Sequence, residues 1–204
     1  MHNSGSHLSK EMLDLIKSIG DSRSKQEEDK IILKESDVLK TKIRESGVNN
    51  KKMKEYLLRA IYIEMLGHDA SFSQKYTLNL TQDKNILNKR VGYLACNILL
   101  PESSEFLILL VASLQKDIQS SNPTEVGMAL TSVIKFANST IMQAVTEPIC
   151  KLLDHKNEQI RKKAVMCLFK FYQVSPSYIP DVHHAFIIKY FFFQCENLKT
   201  VKSA

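Results

Sequence analysis

The sequence predicts an all-α fold, namely an α-solenoid of HEAT- or armadillo-like helix pairs with about nine helices and an irregular C-terminal tail. Apolar residues recur at helical spacing along most of the 204 residues. Six glycines and five prolines are few, which suits long helices joined by short loops better than a many-turned β fold. Similar helical segments also recur at intervals of 35 and 37 residues, a period typical of stacked helix pairs.

Residues 1–46 are predicted to form two N-terminal helices, a short amphipathic helix and a second, mostly polar one. The first runs from Leu8 to Ile19, and Gly20 ends it. The second begins after a serine cap and runs to about Glu45. Its apolar residues form a thin stripe of Ile31, Ile32, Val38, Leu39 and Ile43. A thin stripe indicates partial burial, or burial against another chain.

Residues 50–174 are predicted to form the HEAT- or armadillo-like repeats. A helix from Lys51 to Leu66 precedes Gly67, a residue suited to the turn after a helix, and a short helix follows to about Thr81. The next helix begins near Asn85, and its expected apolar face consists of Val91, Leu94, Ala95, Ile98 and Leu99. In the helix from Lys51 to Leu66 the expected face consists of Leu58, Tyr62 and Met65, with Leu57 and Ile61 beside them.

Three small residues, Gly92, Gly127 and Ala164, occupy equivalent positions in the repeated segments. Glycine inside a helix costs about 1 kcal/mol relative to alanine, a cost usually tolerated for close packing of a neighbouring helix. The Asn122-Pro123-Thr124-Glu125 run strongly predicts a helix start, whereas Pro148 predicts a kink or a restart. The last clear helix runs from Glu158 to about Tyr172.

The pattern changes over residues 175–204, an atypical tail. Pro176 and Pro180 interrupt it, and residues 187–193 are apolar on every side. A solenoid normally ends in a polar cap. We therefore expect that the apolar run packs back on the last repeat, or that the chain is a truncated form.

Positive charge is concentrated between Lys40 and Arg59, where seven basic and two acidic residues give a local net charge of +5. We define the basic surface as six of these residues: Lys40, Lys42, Arg44, Lys51, Lys52 and Lys54. Such a window suits phosphoinositides, nucleic acid or an acidic protein, or is simply the solvated face of a helix.

Catalytic and metal motifs are missing from the sequence, which has no P-loop, GxSxG, HExxH or paired dinucleotide-binding glycines. His183 and His184 are adjacent and so point to different faces, which disfavours joint metal binding. The cysteines lack CxxC spacing and are expected to be reduced: Cys96, Cys150, Cys167 and Cys195. The N-terminus has no signal-peptide core, and no apolar stretch is long enough to span a bilayer. We therefore expect no enzyme, cofactor or metal site.

Two motifs carry a family resemblance, EMLGHDASF at residues 64–72 and KRVGYL at residues 89–94. With the acidic helix start at residues 26–30 and the basic run at residues 161–164, they resemble the N-terminal trunk of large adaptins of clathrin-adaptor-type complexes. The resemblance covers about residues 11 to 184 and is greatest to the epsilon class of the fourth adaptor complex.

This resemblance implies a non-catalytic coat subunit that sorts transmembrane cargo in vesicle-mediated intracellular transport. It implies a location in the cytoplasm, peripherally on Golgi and trans-Golgi membranes. The implied partners are small (sigma), beta and mu subunits, an Arf-family GTPase and cargo tails, without nucleic acid. The sigma subunit would pack on the N-terminal helices, and the basic surface would face the membrane or the GTPase.

One departure from the family concerns cargo. Gamma-type adaptins carry an arginine near the end of the first helix that helps hold acidic-dileucine motifs, and this chain has Gly20 there. Lys17 or Arg23 would then substitute on the cargo side. The alternative to a coat subunit is a generic α-solenoid module that binds nucleic acid or another protein through the basic surface.

Overall fold

A computed structural model describes residues 8–178, and over this range it contains α-helices, three short 3-10 helices and no strand. The α-helices are α1 (Lys10–Gly20), α2 (Lys25–Lys42), α3 (Asn50–Met65), α4 (Gln74–Thr81), α5 (Ile86–Leu99), α6 (Leu107–Ile118), α7 (Pro123–Lys135), α8 (Ser139–Lys151) and α9 (Glu158–Val174). None of the helices within residues 8–178 has the length and apolarity needed to cross a membrane.

The chain divides into two compact units at the bond between Pro101 and Glu102. In the first unit α1 packs on α2, α2 packs on α3, and α3 contacts both α4 and α5. The core of this unit joins side chains of α2 and α3, including Ile32, Leu39 and Leu57, to Leu80 and Ala95 of the α4–α5 pair.

The second unit shows the stacking of a solenoid most directly. Helices α6 and α7 pack as a pair, and α8 and α9 form the next pair. Equivalent helices of successive pairs also lie side by side, since α6 contacts α8 and α7 contacts α9. This arrangement, together with the helix pairs of the first unit, confirms the predicted all-α solenoid with its nine helices in the described part of the chain.

Asparagine N-caps begin many of the helices, which explains why their starts are readable in the sequence. The side-chain oxygen of each accepts a backbone N–H of the first turn, as in α3, α5, α7, α8 and α9, whose caps are Asn49, Asn85, Asn122, Asn138 and Asn157. At the other end of α3, Gly67 has φ +87°. The N–H of His68 donates to Ile63 O at 3.2 Å and that of Gly67 to Glu64 O at 3.0 Å, which completes a Schellman turn.

Gly92 is required by close packing, as the sequence predicts, but Gly127 is not. A Cβ on Gly92 would lie 2.6 Å from the backbone of Leu80 and Thr81, so α4 sits directly against α5 at this point. A Cβ on Gly127 would find only Lys163 Nζ, at 3.9 Å. The repeated positions are therefore equivalent in sequence and different in packing.

The expected apolar faces of α3 and α5 are partly wrong. Met65 is 70% exposed and Leu94 is 43% exposed, whereas Tyr56 and Tyr93 are buried. The reason lies in the neighbours of each helix, because α3 contacts three other helices of its unit and α5 turns its Gly92 side towards α4. In α6 and α9, by contrast, apolar residues at helical spacing are fully buried, namely Leu110 and Leu114, and Ala164 and Leu168.

Pro148 does not restart its helix, so this one of the two alternatives expected from the sequence, a kink or a restart, is wrong. Helix α8 runs unbroken from Ser139 to Lys151. Proline lacks the N–H that would bond to the carbonyl of Ala144, four residues earlier. Gln115 of α6 donates to that carbonyl instead, at 3.0 Å, and so satisfies the group that the proline leaves free.

The predicted tail lies mostly outside the described residues. Helix α9 ends at Val174, and a 3-10 helix spans Pro176–Tyr178. The apolar run at 187–193 and the pair His183–His184 fall beyond residue 178, and the expectations for them stay predictions.

Candidate functional site

The corner between α2 and α3 carries the six residues of the basic surface. Lys40 and Lys42 lie in the last turn of α2, and Arg44 follows its C-cap, Ile43. Lys51, Lys52 and Lys54 lie in the first turns of α3. The buried side chains of Ile43 and Met53 belong to one core cluster, and this packing holds the two helix ends at the same corner. The structure therefore brings together residues that the sequence places on either side of a loop.

The basic side chains differ in their surroundings. Arg44, Lys51 and Lys52 are exposed, and their charged groups have no partner among the described residues. Lys40 instead pairs with Asp37 at 3.2 Å, and its ammonium lies 5.7 Å from the centre of the Phe72 ring. Lys40 thus ties the end of α2 to the segment before α4, whereas the other three are available to an external anion.

Helix dipoles act in opposite directions on the two halves of the basic surface. Lys40 and Lys42 in the last turn of α2 lie where the dipole favours positive charge. Lys51 and Lys52 lie in the first turn of α3, which contains no acidic residue, and the dipole there disfavours positive charge. Helix stability therefore does not account for the lysines that begin α3.

The structure adds Lys84, which sequence analysis missed. Asn50, the first residue of α3, donates from Nδ2 to Asp83 Oδ2 at 2.7 Å, and Asn88 donates to the same oxygen at 2.9 Å. These bonds hold the loop before α5 against the start of α3, and Lys84 in that loop is exposed. The two residues of the Asn50–Asp83 bond are 33 positions apart, so no local pattern signals the contact.

Asp83 owes its acidity to these donors. The backbone N–H of Asn85 donates to Oδ1 at 2.7 Å, and this bond, followed by those from Asn88 and Asn50, lowers the pKa of the Asp83 carboxyl. The ionised carboxylate is therefore the form that joins α3 to the loop before α5.

Arg59 belongs to the basic window of the sequence but not to the surface. It is 3% exposed, and its Nη1 donates to Glu35 Oε1 of α2, while its guanidinium carbon lies 5.4 Å from the centre of the Tyr56 ring. A cavity of about 400 Å³ among α1, α2 and α3 is lined by residues of both charge signs, including Asp14, Lys42 and Arg59. Arg59 therefore contributes to the interior of the first unit.

The two predicted cargo-side residues flank the turn between α1 and α2. Lys17 is exposed in the last turn of α1. Arg23 is exposed just before α2, where its backbone N–H donates to Glu27 Oε2 at 2.9 Å. A Cβ added to Gly20, between them, would meet nothing within 4 Å. The site therefore has room for the side chain that Gly20 lacks.

The described cysteines favour the neutral thiol. Burial raises the pKa of the Cys96 thiol to about 12 and raises that of Cys167 as well. Cys150 is partly buried, and burial followed by the nearby charge of Glu147 raises its pKa. All three are free cysteines. A thiol held in this form is a poor nucleophile and a poor metal ligand.

Comparison with known proteins identifies the family. Residues 28–189 match the family described as Adaptin N terminal region. The chain is 48% identical over 169 residues to the AP-4 complex subunit epsilon of Arabidopsis thaliana, covering 83% of this chain and 18% of that protein. It is 44% identical over 172 residues to the AP-4 complex subunit epsilon-1 of Mus musculus, covering 84% of this chain and 15% of that protein.

A gamma-type relative is less similar. The AP-1 complex subunit gamma of Dictyostelium discoideum is 30% identical over 179 residues, covering 86% of this chain and 20% of that protein. The chain thus spans no more than about a fifth of the length of these relatives. The resemblance to epsilon-type adaptins is confirmed, and the chain belongs to the adaptin family through its N-terminal region.

Proposed function

We propose that the chain acts as the N-terminal region of an epsilon-type large subunit of an AP-4-like adaptor complex. In this role it is a non-catalytic scaffold of a vesicle coat that sorts transmembrane cargo during intracellular protein transport. The observation that carries the proposal is the contrast in identity, 42–48% to epsilon subunits of AP-4 complexes against 30–32% to gamma subunits of AP-1 complexes.

The outer faces of α1 and α2 support a contact with the small (sigma) subunit. Leu13 and Ile16 on α1 are 42% and 37% exposed, and Leu33 on α2 is 58% exposed. A shallow groove of about 620 Å³ runs beside α2, between Lys34 and Glu45. A largely polar helix with apolar residues left at its surface suits burial against a partner chain better than exposure to solvent. Residues 1–46 form the sigma-contact segment in this proposal, and residues 50–174 form the trunk.

The basic surface would face the membrane or an Arf-family GTPase. Its exposed members, with Lys84 beside them, offer several positive charges at one corner of the first unit. Each basic residue near an anionic leaflet is worth about 1 kcal/mol, and the attraction falls off within a Debye length. A peripheral position on Golgi or trans-Golgi membranes, with beta and mu subunits completing the complex, follows from the same proposal.

Cargo tails would approach the turn between α1 and α2. Lys17 and Arg23 supply exposed positive charge on both sides of Gly20. This charge suits the acidic part of an acidic-dileucine motif.

Co-purification with a small subunit tests the proposed function. The chain is expressed together with the sigma subunit of an AP-4 complex, and the pair is isolated through a tag on sigma. We expect a one-to-one complex that survives high salt, because apolar side chains form the contact. Binding to duplex DNA with a steep salt dependence, and no binding to sigma, would instead support the alternative α-solenoid module.

A further inference from the structure

We propose that Ser46 is a phosphorylation site for a serine/threonine kinase that selects basic residues around its acceptor. Phosphate at this position would weaken the attraction of the basic surface for anionic bilayers. The second statement rests on the proposed membrane-facing role, whereas the first stands on the geometry of the loop alone.

Ser46 offers an accessible nucleophile. It is exposed in the loop between α2 and α3, and Gly47 beside it has φ +79°. The other exposed serine and threonine hydroxyls of residues 8–101 are engaged in hydrogen bonds, namely those of Ser18, Ser24, Thr41 and Ser71. The Ser46 hydroxyl makes none in that range. An unbonded side chain in a short irregular loop can enter a kinase cleft without breaking a helix cap.

The surroundings of Ser46 select the class of kinase. Arg44 lies two residues before it, and Lys51 and Lys52 follow at the start of α3, all three exposed, whereas the adjacent Glu45 is the one acidic residue between Arg44 and Lys52. An acidic substrate cleft attracts such a segment and disfavours an acidic one. The chain contains a matched contrast in Ser103, which is also exposed and unbonded but lies between Glu102 and Glu105.

The chemical step is a phosphoryl transfer from ATP. The Ser46 oxygen forms a bond to the γ-phosphorus as the bond from that phosphorus to its bridging oxygen breaks. ADP leaves with the electron pair, and the hydroxyl proton passes to a carboxylate base of the kinase. The product carries about 1.5–2 negative charges at neutral pH, which would reduce the local charge of the basic window by the same amount.

Phosphopeptide mapping tests the site. The folded chain is incubated with ATP and the catalytic fragment of a kinase that selects basic residues, and in parallel with one that selects acidic residues. Trypsin then releases the peptide Glu45–Lys51, in which Ser46 is the one hydroxyl side chain. We expect the basic-directed kinase to modify Ser46 at least tenfold faster than Ser103 and the acidic-directed kinase to show the reverse order.

Two variants test whether the phosphopeptide signal comes from Ser46. Ser46→Ala should remove the signal of the 45–51 peptide, and Ser103→Ala should leave that signal unchanged. Both lie in exposed loops, so circular dichroism should show the same folded chain. Equal rates at Ser46 and Ser103, or no phosphate on Ser46 while other sites are modified, would overturn the proposed site.

Vesicle binding tests the consequence. The unmodified and phosphorylated chains are compared by co-sedimentation with phosphatidylcholine vesicles that contain phosphatidylserine, at low ionic strength. We expect phosphorylation to weaken binding at least tenfold, because about two positive charges are neutralised. Equal binding of the two forms would overturn this consequence. Failure of the unmodified chain to bind would contradict the membrane role itself, and the mapping result would still decide the modification site.

Discussion

Gly92 and Gly127 both lie inside helices, but the packing of a neighbouring helix requires glycine only at Gly92. The missing side chain at Gly92 lets α4 approach α5, whereas Gly127 lies in α7 with space around it. The sequence alone cannot separate the two cases, because the separating fact is the position of a second helix. Alanine at each position therefore has opposite predicted effects.

We expect Gly92→Ala to lower the free energy of unfolding by about 1–3 kcal/mol, since the added methyl group meets backbone atoms that cannot move independently. Gly127→Ala should raise it by about 0.4–1 kcal/mol, because the unfolded chain loses conformational freedom and the folded chain has room. Urea denaturation of both variants measures the difference. A stabilising Gly92→Ala would contradict the close approach of α4 and α5.

The hydrogen bonds accepted by Asp83 should make a pH-dependent contribution to the free energy of unfolding. The folded-state pKa of Asp83 is lowered from the ordinary 3.8, so the stabilisation is present above that value and is lost as the pH falls through the lowered pKa. Asp83→Asn should cost about 1 kcal/mol at neutral pH, since the new amide cannot accept all three bonds. We expect this cost to narrow as the pH falls through the lowered pKa of the Asp83 carboxyl, because Asp83 itself then takes up a proton.

The cost is measured by urea denaturation of the unchanged chain and of Asp83→Asn at a series of pH values, from neutral to acidic. The control is Glu147→Gln, because hydrogen bonding to Lys151 lowers the pKa of the fully exposed Glu147 carboxyl without joining two elements. A cost of Asp83→Asn that stays constant with pH would contradict a role for the ionised carboxylate.

At the scale of elements, the helix dipole disfavours the positive charges of Lys51 and Lys52 at the start of α3, and the same two residues belong to the proposed membrane-binding surface. We expect the double variant Lys51→Glu/Lys52→Glu to stabilise the fold by about 0.3–1 kcal/mol through the helix dipole. The same change should weaken binding to phosphatidylserine vesicles at least tenfold. If both results are observed, Lys51 and Lys52 lower the stability of the fold but support membrane binding, which would explain why lysines begin α3.

The control for this pair is Lys116→Glu/Lys135→Glu. Both residues are exposed in the last turns of α6 and α7, where the dipole favours positive charge, so this variant should be less stable. It changes the net charge of the chain by the same amount and should retain most of the vesicle binding. Equal loss of binding in the two double variants would show an effect of net charge and would contradict a localised basic surface.

The end of α1 carries a prediction about cargo. Because a side chain at Gly20 meets open space, Gly20→Arg should leave the fold intact. In complex with a small subunit, we expect this variant to bind an acidic-dileucine peptide about tenfold more tightly than the unchanged chain, as one added charge-assisted contact predicts. Fluorescence anisotropy of a labelled peptide measures the affinity.

Gly20→Ala is the matched control, because it gains helix propensity without the charge. If Gly20→Arg and Gly20→Ala bind the peptide equally, the cargo site does not lie at the end of α1.

Local signals explain how far the elements are predictable from sequence. Asparagine caps and the glycine after α3 act within a few residues, so the helix boundaries follow from the sequence. Two features depend on partners distant in sequence. Gln115 donates a hydrogen bond to the Ala144 carbonyl that Pro148 leaves free. Asn50 donates to Asp83 and so holds the neighbouring Lys84 beside the basic surface. Neither pairing has a pattern that periodicity or composition detects.

At the scale of the whole molecule, repeat spacing predicts the solenoid and a family resemblance predicts the role. The spacing identifies stacked helix pairs because each pair buries its apolar face on the next, as α6–α7 and α8–α9 do. The function is not readable from chemistry, since the proposed sites are surfaces rather than reactive groups. The exposed apolar residues of α1 and α2 are the physical feature that links the fold to the proposed assembly.

The affinity for a small adaptor subunit, measured by isothermal titration calorimetry, tests this link most directly. The variants are Leu33→Asp on α2 and Leu109→Asp on α6, since the two leucines are almost equally exposed, at 58% and 59%. We expect Leu33→Asp to weaken binding to the sigma subunit at least a hundredfold, by burying a charge in the contact, and Leu109→Asp to leave it within about twofold. Equal affinities for both variants and the unchanged chain would contradict the account that α1 and α2 form the small-subunit contact.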